Sequence, residues 1–254
     1  LALNTNGSNT VSVTSTDAAG NVSAAASQTL TLDTTSAKVS ASTDKADGSY
    51  TVGEEIDITL TFDESVTLSG SAGLNITLQD GSSTTVATLN VTAAELNGVS
   101  TVTKTYTVAA GDTAGDLTVS GVALGTSATL QDDAGNDADL SSLTATVGTS
   151  DAIVIDTTAP AAPTITAFSS VSSPLTLVGT GEAGATVSIS DGATVIGTAV
   201  VGGNGTWSFT TAILAQGSHS FTAVQTDAAR NISVASSPAR TISATQTAAV
   251  LGED

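Results

Sequence analysis

Three short segments of the 254-residue chain pair an aspartate with an asparagine four residues later. They read TDAAGNVS at 16–23, QDDAGN at 131–136 and TDAARNIS at 226–233. Aspartate hydrogen-bonds readily to its own downstream backbone, and glycine tolerates a positive φ, so each segment predicts a tight hairpin. Such a turn also presents several oxygen atoms, which makes it a platform for a hard cation.

The composition shows that carboxylates gathered at one place could not be neutralised from within the chain. There are 24 Asp and Glu residues against 5 Lys and Arg, which gives a net charge of −19. Clustered carboxylates repel one another, so a cluster persists only if it is paired or neutralised. The same charge argues against nucleic acid and against anionic membrane surfaces as partners. The alternative is that the acids only keep the protein soluble.

The elements that would position these acids are predicted to be β-strands. In EIDITLTF, at 55–62, apolar and polar residues alternate, and TVSIS at 186–190 repeats the pattern. Gly, Asn and Asp interrupt such segments at short intervals, and no stretch of helical length has a convincing apolar stripe. No apolar run approaches the roughly 18–20 residues that span a bilayer, so membrane insertion is not expected. These features predict an all-β chain of antiparallel sandwiches.

Repeated linkers divide the chain into predicted domains. The first linker, LDTTSA at 32–37, matches the second linker, IDTTAP at 155–160. The first segment holds about two strands and cannot bury a core alone, so we expect its partner strands to lie outside this sequence. The predicted parts are the end of a preceding domain over 1–33, a complete domain over 34–156, another over 157–246, and a linker or the start of a next repeat over 247–254.

Longer motifs carry a family resemblance over nearly the whole chain. The last domain contains DTTAPAAPTI, TGEAGATVSI, GNGTWSFT and GSHSFTAVQTDAARN, and the middle one contains YTVGEEIDITLTFDESV and LQDDAGN. The chain resembles the bacterial immunoglobulin-like repeats of giant calcium-dependent adhesins, which Gram-negative bacteria export by type I secretion. The resemblance implies tandem immunoglobulin-like antiparallel β-sandwich domains of seven strands, stacked as an extended rod. It also implies calcium ions that stiffen the junctions, and it does not imply catalysis.

Oxygen-bearing residues from distant segments are expected to converge at the end where the chain enters each sandwich, because alternate loops fall at opposite ends. The predicted metal ligands are Asp33, Asp63, Glu64, Asp132, Asp133 and Asn136 at the first linker; Asp156, Glu182, Asp227 and Asn231 at the second; and Asp17 and Asn21 in the partial domain. Asp112 and Asp116 are expected at the opposite end of the middle domain, reaching toward the second linker.

Calcium is the cation that suits this donor set. It accepts about 6–8 oxygens in irregular geometry, whereas magnesium requires a stricter octahedron and retains its waters. Zinc prefers His or Cys, and the chain has one His and no Cys. We therefore predict Ca²⁺ as the bound ion, the alternative being a metal-free acidic surface.

Two positions depart from the repeated pattern. Arg230 stands where the other two hairpins have Gly20 and Gly135. If that position is left-handed, a residue other than glycine costs roughly 1–2 kcal/mol there, although the cationic side chain could partly replace an ion. Ser243 stands where the counterpart of Asp33 is expected after the last strand, so a third linker site is not predicted.

The resemblance, together with the positions of the acids, implies a structural segment of a long surface protein on a Gram-negative bacterium, stiffened by calcium and supporting adhesion and biofilm formation. Its expected partners are neighbouring repeats of the same chain and a host-surface or matrix ligand, and the rod is expected to be monomeric. His219 is expected to be a strand residue and not a catalytic base, and Trp207 to pack between sheets. The alternatives are a ligand- or carbohydrate-binding adhesive module, or an accessory region of a secreted hydrolase.

Overall fold

The computed structural model describes residues 6–145, 147, 152–168 and 174–244, and the regular structure of these residues is β-strand. The predicted segment 247–254 lies outside them. In chain order the strands are β1 (Gly7–Val13), β2 (Ala26–Leu32), β3 (Lys38–Thr43), β4 (Gly48–Tyr50), β5 (Glu55–Ser69), β6 (Leu74–Gln79), β7 (Thr85–Val91), β8 (Asn97–Thr107), β9 (Thr113–Ala114), β10 (Thr118–Leu124), β11 (Thr129–Asp132), β12 (Asp139–Ala145), β13 (Ile153–Asp156), β14 (Thr164–Phe168), β15 (Thr176–Thr180), β16 (Thr186–Asp191), β17 (Thr194–Val200), β18 (Thr206–Thr210), β19 (Gly217–Thr226) and β20 (Arg240–Ala244).

The chain forms two compact units. The first comprises residues 1–46, 55–106 and 116–152, and the second comprises 47–54, 107–115 and 153–254. The second unit thus includes two short segments from within the predicted middle domain. The domain boundaries drawn from the repeated linkers stay a prediction.

The first unit contains three sheets. Their strand orders are β1-β2, β10-β6-β7 and β11-β5-β3-β12, with β8 also paired to β5. Alternate side chains of β5, from Ile56 to Phe62, are buried, and so are those of β6 from Leu74 to Leu78. The alternation predicted for EIDITLTF is therefore confirmed, and it supplies the apolar layer that holds β5 in place.

The β1-β2 pair has no comparable core. In the register of this antiparallel ladder Gly7 pairs with Leu32, and most of its side chains are exposed. Val13 and Leu30 are 64% and 44% exposed. Two strands alone cannot bury both faces of their side chains, as the sequence indicated.

The second unit also contains three sheets. Their strand orders are β4-β13-β9, β14-β15-β18 and β17-β16-β19-β20. The last two sheets enclose one apolar cluster, in which Leu177, Val187, Ile189 and Phe221 are fully buried. Trp207 is 3% exposed, and its indole Nε1 donates to the Thr180 carbonyl at 3.2 Å. The prediction that Trp207 packs inside the sandwich is confirmed, so its ring offers no surface on which a sugar could stack.

Two pairings are parallel in this otherwise antiparallel architecture. β12 runs parallel to β3, and β13 runs parallel to β4. The two strands of each parallel pair lie far apart in the sequence, as parallel pairing requires, since a tight hairpin joins only antiparallel strands. One consequence is that β13, which ends at Asp156, is fixed between β4 and β9 immediately before the second linker.

Candidate metal centre

The hairpin at 131–136 is organised by the carboxylate of Asp132. Asp132 Oδ1 accepts hydrogen bonds from the backbone N–H groups of Ala134 and Asn136, both at 2.8 Å. Its Oδ2 accepts a third bond from Asn136 Nδ2 at 2.8 Å. Gly135 completes the turn with a φ of +89°, a conformation that glycine adopts without a Cβ penalty. The predicted tight turn is confirmed.

The other two copies repeat this geometry. Asp17 accepts bonds from the backbone and the side chain of Asn21 at 2.9 and 2.8 Å. Asp227 accepts the corresponding bonds from Asn231 at 2.8 and 2.9 Å. In each copy the asparagine amide group is directed at the aspartate, so the asparagine locks the carboxylate orientation. This role of the asparagine was not predicted; the sequence interpretation treated it only as an oxygen donor.

The first linker brings three carboxylates together. Single carboxylate oxygens of Asp33, Glu64 and Asp132 lie within 4.8 Å of one another. β11 pairs with β5 so that Asp132 lies opposite Val66, which places the hairpin beside Glu64. Asn136 Nδ2 also lies 3.3 Å from the Asp33 carbonyl and ties the hairpin to the linker. We call Asp33, Glu64 and Asp132 the acidic triad.

The carboxylates of the acidic triad and its neighbours repel one another. Burial raises the pKa of Glu64, and repulsion from Asp132, Asp33, Asp63 and Asp133 raises it further. Burial acts in the same direction on Asp132, but the hydrogen bonds from Asn136 and the turn backbone outweigh it and hold the pKa of Asp132 below its usual range. One carboxylate is therefore fixed in its charged form beside another whose charge is disfavoured.

The donor chemistry of the acidic triad fits a hard cation. In the part of the chain that the structure describes, the ion pairs involve Asp44, Glu95, Asp191 and Glu54, and none involves a triad residue. Three carboxylates with nearby backbone carbonyls offer the oxygen donors that calcium prefers, and the group has no His or Cys ligand of the kind that zinc prefers. Asp33, Glu64 and Asp132 are the residues that would hold the ion.

Besides Asn136, two of the predicted ligands at the first linker, Asp63 and Asp133, are not members of the acidic triad. Asp63 Oδ1 accepts the backbone N–H of Lys38 at 2.7 Å, which joins β5 to the start of β3. Asp133 is exposed on the turn beside Asp132. Both raise the negative potential at Glu64. Asn6 was not predicted, yet its Oδ1 accepts the backbone N–H of Thr34 at 2.8 Å and so anchors the linker next to Asp33.

The second linker is held differently. Asn231 Nδ2 donates to the Asp156 carbonyl at 2.9 Å, so three of the four residues predicted there do meet. Glu182 is exposed, and among the described residues no group of three carboxylates comparable to the acidic triad forms with it. Asp112 reaches this linker through its carbonyl, which accepts the Thr157 hydroxyl at 3.0 Å.

The structure also adds residues at the second linker that sequence reasoning missed. Thr51 donates its hydroxyl hydrogen to Asn231 Oδ1. Glu54 was not among the predicted site residues, but its Oε2 accepts the Thr51 backbone N–H at 2.8 Å and its Oε1 lies 3.6 Å from Arg230 Nη1. Arg230 has a φ of +71°, so it adopts the left-handed conformation, which is energetically unfavourable for a residue other than glycine.

His219 lies in β19, as expected, and both of its ring nitrogens face acceptors. Nδ1 is 2.5 Å from Asp191 Oδ2, and Nε2 is 2.9 Å from the Ala215 carbonyl. The carbonyl bond and the carboxylate bond together raise the pKa of His219 above its ordinary value. Both ring nitrogens can donate to these two acceptors only when the imidazole is protonated, so the contacts favour its charged form.

The His219–Asp191 pair predicts a pH dependence. A raised histidine pKa contributes stability that is fully present below the unfolded-state value of about 6.5 and is lost as the pH rises through the folded-state pKa. In the Asp191→Asn variant the His219 pKa is expected to fall toward that unfolded value. An NMR titration of the imidazole signals measures both values, with Asp137→Asn as a control, because Asp137 accepts a hydrogen bond from Gln131 and not from His219. Equal pKa values in wild type and Asp191→Asn would contradict the pairing.

Comparison with known proteins identifies the family of one segment. Residues 159–244 match the family model described as a bacterial Ig domain. No curated protein sequence matches the chain. No helix long and apolar enough to cross a bilayer occurs among the described residues.

The chain is similar to several solved structures. One contains fibronectin(III)-like modules of CbhA from Clostridium thermocellum, at 14% identity and a TM-score of 0.33, covering 81% of this chain and 94% of that one. Another is the BSP domain of a biofilm-associated protein, at 15% identity and a TM-score of 0.29, covering 81% of this chain and 29% of that one.

Proposed function

We propose that the chain is a structural segment of a bacterial surface adhesin, because residues 159–244 match the family model of a bacterial Ig domain. In this proposal calcium binds the acidic triad and stiffens the first linker. The cell is Gram-negative, the export route is type I secretion, and the segment supports adhesion and biofilm formation as a rod of tandem sandwiches. Its partners are the neighbouring repeats, and a surface or matrix ligand is bound elsewhere in the parent protein.

The observation that carries the proposal is the acidic triad itself. Asp33 belongs to the linker, Glu64 to β5 and Asp132 to the last hairpin, so one ion on all three would join the linker to the sandwich that follows it. A bound divalent cation supplies positive charge that offsets the mutual repulsion of the carboxylates. The Asn136 bonds to Asp132 Oδ2 and to the Asp33 carbonyl keep two of the three groups oriented before the ion arrives.

The role of the triad is mechanical and not catalytic in this proposal. Successive domains of a chain move relative to one another unless something holds their linker. An ion that binds only the folded arrangement adds RT ln(1 + [L]/Kd) to its stability. Extracellular modules bind calcium with Kd values of about 10⁻⁴–10⁻³ M, so a weak site suffices outside the cell.

Calcium removal is expected to loosen the first linker of the 254-residue chain. Scattering of the chain in calcium and in EGTA measures the change in dimensions, and limited proteolysis followed by mass spectrometry locates the cleavage. We expect cleavage within residues 32–37 to accelerate at least about tenfold in EGTA, since proteolysis follows the population of the open form. Identical scattering curves and cleavage rates in the two buffers would refute the proposal.

A further inference from the structure

Arg230 occupies a backbone position that disfavours its side chain. The other two Asp–Asn hairpins have Gly20 and Gly135 there, with φ values of +88° and +89°, and Arg230 adopts nearly the same conformation at +71°. A strained residue of this kind persists only where the surrounding structure over-determines it. The contacts of Arg230 are therefore informative about the second linker.

A chain of polar contacts runs from Arg230 to the second linker. Arg230 Nη1 lies 3.6 Å from Glu54 Oε1, and Glu54 Oε2 accepts the backbone N–H of Thr51 at 2.8 Å. The Thr51 hydroxyl donates to Asn231 Oδ1, and Asn231 Nδ2 donates to the Asp156 carbonyl at 2.9 Å. Segment 47–54 thus contacts both residues at the tip of the hairpin, and through Asn231 it is connected to the linker backbone.

The second linker has further bonds to protein groups on its other side. Thr157 Oγ1 donates to the Asp112 carbonyl at 3.0 Å and accepts the backbone N–H of Gly111 at 3.1 Å. Immediately before it, Ile155 pairs with both Tyr50 of β4 and Ala114 of β9. Every one of these bonds joins two protein groups, and none needs an ion to form.

The charge pattern also distinguishes the two linkers. At the first, three carboxylates converge without an ion pair to any of them among the described residues. At the second, the carboxylate of Glu54 faces the guanidinium of Arg230 at 3.6 Å. Arg230 in the second-linker hairpin occupies the position that Gly135 has in the hairpin beside the acidic triad.

We propose that the second linker is held without a metal ion, an arrangement that we call the metal-independent lock. In it, the Arg230–Glu54 ion pair and the Glu54–Thr51–Asn231 hydrogen bonds fix the linker backbone, as a divalent cation does at the first linker. The comparison with the first linker rests on the proposed function. The segment then contains one linker that responds to calcium and one that is closed at any calcium concentration. Loss of calcium would loosen the chain at one defined place only.

Hydrogen exchange on the full chain tests this lock. Peptides covering 153–160 and 226–234 are compared with peptides covering 32–37 and 131–137, each in calcium and in EGTA. The expected result is that exchange in the second-linker peptides changes by less than twofold between the buffers. A rise in EGTA as large as that of the first-linker peptides would overturn the lock.

Glu54→Gln and Thr51→Val test the lock independently of calcium. In the first variant the amide oxygen would still accept the Thr51 N–H, but the neutral side chain cannot form an ion pair with Arg230. In the second, valine removes the hydroxyl bonded to Asn231. Exchange in the second-linker peptides is expected to rise about two- to fivefold in both buffers, a modest factor because the Arg230 side chain of the ion pair is 81% exposed. Glu55→Gln, a change of the neighbouring exposed carboxylate, is the matched control and is expected to leave exchange unchanged.

The outcomes for the two proposals are separable. If neither linker responds to EGTA while Glu54→Gln and Thr51→Val loosen the second one, the lock stands and the proposed calcium site fails. If both variants exchange at the wild-type rate in the second-linker peptides, the lock is overturned whatever happens at the first linker.

Discussion

The Phe221→Ala variant is expected to destabilise the last sandwich by about 3–5 kcal/mol, the usual cost of emptying a fully buried aromatic site. Phe221 has no exposed surface and belongs to the apolar cluster enclosed by the sheets β14-β15-β18 and β17-β16-β19-β20. Its ring meets Phe168 edge to face, with centroids 6.4 Å apart, and stacks on His219 at 6.2 Å. Alanine would remove these contacts and leave a cavity.

The single tryptophan makes this prediction easy to measure. Trp207 is the one Trp of the chain and lies in the same cluster, so its fluorescence during urea unfolding reports on this sandwich alone. Ile213→Ala is the control, because Ile213 is 81% exposed and its truncation is expected to change stability by less than about 0.5 kcal/mol. A Phe221→Ala loss as small as that of the control would show that the cluster is not the core of the sandwich.

The Glu64→Gln substitution is expected to leave the protein at least as stable as wild type in EGTA but to make it less stable than wild type in calcium. In EGTA it should be at least as stable as wild type, because the pKa of Glu64 is raised by burial and by four neighbouring aspartates, and glutamine removes that repulsion. Calcium raises the free energy of unfolding of the wild type by about 2.7 kcal/mol when the ion is present at 100 times its Kd, and the variant should lack most of this increase. Melting curves of both proteins in both buffers measure the effect.

Glu182→Gln is the matched control for Glu64→Gln. Glu182 was predicted as the corresponding ligand at the second linker, but it is exposed and belongs to no triad among the described residues. Its replacement is expected to leave the calcium-dependent gain intact. Two results together would contradict this prediction: lower stability of Glu64→Gln than of wild type in EGTA, and an equal increase in stability of both proteins on adding calcium. They would show that the triad carboxylates neither repel one another nor bind calcium.

Local patterns in the sequence were sufficient for the strands and turns. Period-two alternation in EIDITLTF and TVSIS fixes which side chains are buried, since successive residues of a strand face opposite sides. The Asp–Asn hairpins follow from short-range bonding between an aspartate and its downstream backbone. Each prediction depends on neighbours within a few residues, which is why the structure confirms it.

The acidic triad could be predicted only in part. Asp33 and Asp132 follow from the repeated linkers and hairpins, but the choice between Asp63 and Glu64 depends on which face of β5 each occupies. Adjacent strand residues face opposite sides, so Glu64 turns toward the hairpin while Asp63 bonds to Lys38. Asn6 could not be predicted, because its role depends on a contact 28 residues along the chain with Thr34.

The second linker shows where sequence reasoning was least complete. Arg230 was recognised as a departure from the glycine pattern, but its partner Glu54 lies far away in the sequence and no repeat marks it. The Thr51-to-Glu54 spacing is a local signal, because in a Thr-x-x-Glu sequence the glutamate side chain can reach back to the threonine N–H, as it does at helix N-termini. That spacing predicts the turn but not the contact between Glu54 and Arg230.

A calorimetric calcium titration of the 254-residue chain, with Glu64→Gln in parallel, tests the central claim most directly. The account predicts one class of site in the wild type, assigned to the acidic triad, with the affinity weakened at least about tenfold by Glu64→Gln. It also predicts that Glu182→Gln titrates like the wild type, because the second linker is closed without an ion. Absence of binding heat at millimolar calcium, or equal affinities for wild type and Glu64→Gln, would contradict the account.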